Sequence, residues 1–111
     1  KNMVLHQDLI AAAHDMANGL VDANLGGHVV KKRIAFKGRG KRSGARTIVA
    51  TNFESRWIFL FGFEKSERGN ISKAELKALQ ELAKNLLGFN ATQITMAVRE
   101  RQLIDLKRPE E

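Results

Sequence analysis

The chain has 111 residues, enough for one domain with a core of its own. It has no cysteine, which excludes disulfides, cysteine–zinc sites and thiol catalysis, and no apolar run near the ~20 residues of a membrane helix. Lysine and arginine number 19 against 12 acids, a net +7, and the excess is local: Lys31, Lys32, Arg33, Lys37, Arg39, Lys41, Arg42 and Arg46 share a stretch with no acid, which points to a polyanionic partner.

The opening KNMVLHQDLI does not read as a secretory signal. Leu5, Leu9, Ala12, Ala13, Met16 and Leu20 recur at three- and four-residue steps and predict a helix stopped at Asn18-Gly19. Residues 20–27 read as a connecting loop. From His28 to Phe36 the period shortens, with Lys31 and Arg33 on one side and Val30, Ile34 and Phe36 on the other, which predicts a strand. Ala45 to Asn52 is a second strand. Arg56 to Phe63 is a third, apolar on both faces and therefore placed centrally in the sheet. The links are too short for crossovers, so the three strands are expected to be antiparallel. Ser72-Lys73-Ala74-Glu75 is a capping-box pattern opening a helix that Gly88 ends. Asn90 caps a further helix to about Gln102, with Ile94, Ala97 and Val98 inward, and Leu103 to Leu106 reads as a short extended piece. The order α-β-β-β-α-α is an α+β fold. Residues 1–106 read as a single domain and 107–111 as a C-terminal tail.

Few constellations can carry chemistry. His6, His14 and His28 have no ligand spacing, so no metal site is expected. The glycines of Gly38-Arg39-Gly40-Lys41-Arg42-Ser43-Gly44 match neither nucleotide-loop spacing and sit between two strands, where they suit a basic hairpin tip. No serine has the setting of an activated nucleophile. What remains is basic: Lys31 and Arg33 on one strand, Arg46 leading the next, and Lys65, Glu67 and Arg68 after the third. Such groups bind phosphate and stabilise charge developing in phosphoryl transfer. A ribonuclease can use the RNA 2′-hydroxyl as nucleophile and then needs a base, a clamp and an acid. The alternative is that Lys65, Glu67 and Arg68 pair with one another. Trp57, Phe59, Phe61 and Phe63 fall on one strand face and read as core; Phe36 and Phe63, nearest the basic ends, are the aromatics placed to stack on RNA bases.

The run from Val30 to Ile48, with its K-x-R-I-A-x-K-G-x-G-K-R-x-G-x-R string, and the later Phe61-Gly62-Phe63-Glu64-Lys65-Ser66-Glu67-Arg68-Gly69-Asn70-Ile71 resemble HigB-type toxins of the RelE/ParE superfamily. Gly19 to Gly27 fits one branch of it, and the resemblance spans roughly residues 4–106. It implies a bacterial, cytoplasmic toxin of a type II toxin–antitoxin pair that cleaves mRNA in the ribosomal A site, without metal or other cofactor, through the 2′-hydroxyl. It implies as partners the ribosome, mRNA and a helix-turn-helix antitoxin, with operator DNA reached only through the antitoxin and no membrane. By position it implies Lys31, Arg33, Arg46 and Lys65 as catalytic residues, and Lys37, Arg39, Lys41, Arg42 and Arg68 as RNA or ribosome contacts. The chain departs from the family in having no tyrosine and in placing Ser66 where RelE has an arginine, so the acid or stacking role is unassigned. The expected fold is the RelE-like sheet and helices without the family's N-terminal strand. Two other functions compete: a gyrase poison like the ParE branch, and a noncatalytic nucleic-acid-binding module.

Overall fold

Two helices sandwich an antiparallel sheet in the computed structural model, which describes residues 6–35 and 44–106. The elements are α1 (His6–Ala17), β1 (Ala23–Gly26), β2 (Val29–Ile34), β3 (Ala45–Thr51), β4 (Trp57–Glu64), α2 (Lys73–Leu87) and α3 (Ala91–Arg99). The sheet order is β1-β2-β3-β4, every neighbour antiparallel. The α+β class and antiparallel strands are those expected. Residues 1–5, 36–43 and 107–111 lie outside the described residues, and with them the glycine-rich tip, Phe36, the tail and the first residues, on which the expected lack of an N-terminal strand bears.

The helix ends follow the sequence signals. α1 closes with Gly19 in the left-handed region (φ 89°), while Gly19 N–H donates to Met16 O and Leu20 N–H to Asp15 O. Ser72 and Glu75 form a reciprocal capping box on α2, and Asn90 and Gln93 form another on α3. α3 stops sooner than expected. Arg101 turns left-handed (φ 64°), and Gln102 N–H reaches back to Ala97 O and Arg101 N–H to Val98 O. That closure needs no glycine, so nothing in the sequence marks it. Leu103–Leu106 forms no strand.

The sheet has two covered faces. One packs Val29, Ile48, Ala50 and Phe63 against Ala83 of α2, with Leu76, Leu79 and Leu87 around it. The other packs Val30 and Val49 against Met16 of α1, with Trp57 and Phe59 beside them. Thr47 and Thr51 are buried but satisfied: Thr47 Oγ1 donates to Lys32 O (2.7 Å), and Thr51 Oγ1 accepts from Phe53 N–H (2.8 Å).

Three expectations are corrected. Residues 20–27 are not wholly loop, because 23–26 pair with β2; four residues with Asn and Gly carry no strand signal. The strand ending at Glu64 is not central but lies at an edge among the described residues. Its two-sided apolarity has another cause, a helix on each face of the sheet. Finally, Trp57, Phe59, Phe61 and Phe63 do not share one face. Ile48 pairs with Phe61 but Val49 with Phe59, so Leu60 is an extra residue in the ladder. That bulge leaves Trp57 and Phe59 on the α1 side and turns Phe61 and Phe63 to the α2 side.

Candidate active site

The strand register brings the expected cations together. Arg33 pairs with Arg46, and Arg46 with Phe63, as one row across β2, β3 and β4. Two residues along, Lys31, Ile48 and Phe61 form the next row on the same face. The row Ile34, Ala45 and Glu64 ends the ladder, and Lys65 follows it directly, exposed in a turn. Lys31, Arg33 and Arg46 are therefore gathered on the α2 side, and Lys65 stands just past the same end. Alternation sends Lys32 to the other side, where its Nζ donates to Leu20 O (2.9 Å) and lies 3.7 Å from Asp15.

Like charges directly opposite each other in a sheet are destabilising, with Cβ atoms only about 5 Å apart. Arg33 and Arg46 occupy such a pair. Arg46 adds a second tension: its Nη1 is buried and finds no hydrogen-bond acceptor among the described residues. A buried guanidinium donor without a partner is costly, and an anion would satisfy it. β2 itself is held in register at this point by Asp22, whose N–H donates to Lys31 O (2.9 Å) and whose carboxylate accepts from Arg33 N–H. Lys31 Nζ reaches Asn70 Oδ1 at 3.4 Å.

Arg68 is engaged within the chain. Its Nη1 and Nη2 donate to the two carboxylate oxygens of Glu75, and its Nε to Asn70 O (3.1 Å). The guanidinium also lies 5.9 Å from the Phe61 ring centre and 5.5 Å from that of Phe63. The Arg68 guanidinium first, and then the Ser72 backbone N–H, hold the Glu75 carboxyl at about 2, well below the usual carboxylate range. The alternative, mutual pairing of Lys65, Glu67 and Arg68, is not what forms: Arg68 goes to Glu75, and Glu67 Oε1 accepts from Glu64 N–H (3.4 Å).

The sequence reading missed three of these groups. Glu75 was legible as a helix-capping residue but not as the partner of Arg68, seven positions away on another element. Asn70 has no signal beyond its place in the turn. Phe61 reads as core, yet it is 37% exposed, whereas Phe63 is only 7% exposed and belongs to the core. The four expected contacts Lys37, Arg39, Lys41 and Arg42 lie outside the described residues.

Among the described residues, no three histidine, aspartate or glutamate side chains gather as metal ligands, and no helix is long and apolar enough to cross a membrane. No curated protein matched the sequence. Residues 1–106 match a family model, that of the RelE toxin of the RelE/RelB toxin–antitoxin system. With nearly the whole chain matched and the α+β architecture in agreement, the protein belongs to the RelE toxin family and is the toxin of a toxin–antitoxin pair, with an antitoxin as its partner.

Proposed function

We propose that this toxin is a HigB-type, ribosome-dependent and metal-independent mRNA endoribonuclease, acting in the bacterial cytoplasm and restrained by a helix-turn-helix antitoxin. The observation that carries this reading is the Arg33–Arg46 row, with its orphaned buried Nη1. Two opposed arginines suit the non-bridging oxygens of a scissile phosphate, where negative charge grows in the transition state. The 2′-hydroxyl oxygen attacks phosphorus. Its proton passes to an amine, for which Lys31 stands in the neighbouring row. The 5′-oxygen leaves with a proton from an acid, for which Lys65 stands past the opposite end. The products are a 2′,3′-cyclic phosphate and a 5′-hydroxyl. Lys37, Arg39, Lys41 and Arg42 bind flanking RNA phosphates.

The test is to induce the toxin in growing bacteria and map 5′ ends on translated and untranslated copies of one message. Cuts are expected only in the translated copy. Arg46→Ala should lower the cutting rate by about 10²- to 10³-fold, the usual loss for one transition-state donor, with an unchanged circular dichroism spectrum. Wild-type cutting by that variant would overturn the site, and arrested growth without cuts would overturn the ribonuclease reading. Toxin stripped with EDTA and desalted before it meets ribosomes should keep full activity; loss restored by added metal would reject the metal-independent route.

A further inference from the structure

Asn70 joins two of the site's cations from outside the strands. It is exposed in the loop between β4 and α2, 39 positions from Lys31. Its Oδ1 accepts from Lys31 Nζ (3.4 Å) and from Ile71 N–H (2.9 Å), and its backbone O accepts from Arg68 Nε (3.1 Å). Both partners of the side chain are donors, so the amide oxygen faces them. A turn residue needs only the Ile71 bond. The bond to Lys31 has a different consequence. Lysine is a point charge on a flexible stem, and on this face Lys31 stands near Arg33 and Arg46, which repel it toward solvent. An acceptor in the loop after β4 draws the amine across β3, the strand that carries Arg46. That acceptor is also neutral. A carboxylate in its place would favour the charged amine, which cannot take a proton. Glu75, the acid on the adjoining helix, is engaged on both oxygens by Arg68.

We propose that Asn70 is a positioning residue for cleavage: its side-chain oxygen holds the Lys31 amine over the sheet, toward the phosphate at Arg33 and Arg46, without adding a charge that would keep the amine protonated. The role rests on the RNA reading of the preceding section, with Lys31 as the base. Arg68 is bound through the backbone oxygen of Asn70, so substituting the side chain leaves that anchor in place. Asn70 acts through Lys31 and touches no reacting atom. Holding a base within reach of the 2′-hydroxyl contributes to rate rather than to affinity.

The experiment measures single-turnover cutting on message-programmed ribosomes saturated with toxin, beside binding to the same message with 2′-O-methyl riboses, which is not cut. Asn70→Ala should cut about 10- to 100-fold more slowly and bind as wild type does. Lys31→Ala should cut at least as slowly, and adding Asn70→Ala to it should cost nothing further. Asn70→Asp keeps an acceptor for Lys31 and Ile71 but puts a charge beside the amine. Its cutting rate should rise at higher pH than that of wild type, since the amine must lose its proton before it can take another. Arg33 on β2, Arg46 on β3, Arg68 in the loop and Glu75 on α2 also face this region and are unchanged in these variants, so the displacement traces to residue 70. If the alanine variant melts well below wild type, the aspartate variant decides by its pH profile. Four results would each overturn the positioning role: wild-type cutting by Asn70→Ala, binding lost in proportion to cutting, a further loss on top of Lys31→Ala, or an Asn70→Asp profile that coincides with that of wild type. The RNA reading survives any of them while Lys31→Ala and Arg46→Ala cut slowly. Normal cutting by Lys31→Ala would remove the base itself, and absence of cutting by wild type would remove the RNA reading with it.

Discussion

The Glu75 carboxylate accepts from the Arg68 guanidinium on both oxygens and from Ser72 N–H at 2.7 Å, so one side chain both caps α2 and anchors the arginine behind Phe61. Its pKa lies at about 2 against an ordinary 4.5. The folded state thus holds its proton more weakly than the unfolded chain does. The associated stability is fully present above about pH 4.5 and is lost as pH falls from there toward 2. Glu75→Gln keeps a capping oxygen but removes the charge. Its melting temperature should therefore change less than that of wild type between pH 5 and pH 2; parallel curves would show that the pair contributes nothing. At neutral pH the same variant should lower cleavage, because Arg68 loses its anchor. Neither effect was legible from the sequence, where Glu75 announces only a helix start.

Arg56 shows the same limit at the scale of an element. It reads as the first residue of a strand, but its Nη1 donates to Phe89 O (2.7 Å) and to the last carbonyls of α2, Leu86 O and Leu87 O (3.3 and 3.4 Å). A cation there also complements the negative end of the helix. Arg56→Ala should destabilise the protein by about 1–3 kcal/mol in urea unfolding. Gly44 couples an element to the site. A Cβ there would run into the backbone carbonyl of Ile34, so the strand start at Ala45 can sit close to β2 only with glycine before it. Gly44→Ala should cost about 1–3 kcal/mol and, by displacing Arg46 two residues on, lower cleavage more than its loss of stability accounts for. Measuring activity well below the variant's melting temperature separates the two effects.

For the whole molecule, the concentrated charge was the most legible feature, because a run of cations without acids needs no folding to be seen. Its consequence is electrostatic. Changing Lys37, Arg39, Lys41 and Arg42 together to alanine should weaken ribosome–message binding and flatten its dependence on log salt by about 2 to 3 units, near 0.7 per lost single-strand phosphate contact. An unchanged slope would remove these residues from the interface. The melting temperature should stay within a few degrees of wild type, since the core lies between the sheet and its two helices.

Local patterns alone determined much of this protein. Helix starts and stops at Gly19, Ser72, Glu75 and Asn90 are short-range hydrogen-bond chemistry. The alternation that puts Lys31 and Arg33 on one side of a strand is a matter of period two. The tertiary structure decided what depends on pairing across the chain. It set Arg33 opposite Arg46, and it slipped one residue at Leu60 so that Phe61 and Phe63 turned from the side of Trp57 to the side of the cations. It also joined Arg68 to Glu75. Register and bulges arise from contacts between segments distant in sequence, and no window read along a single segment contains them.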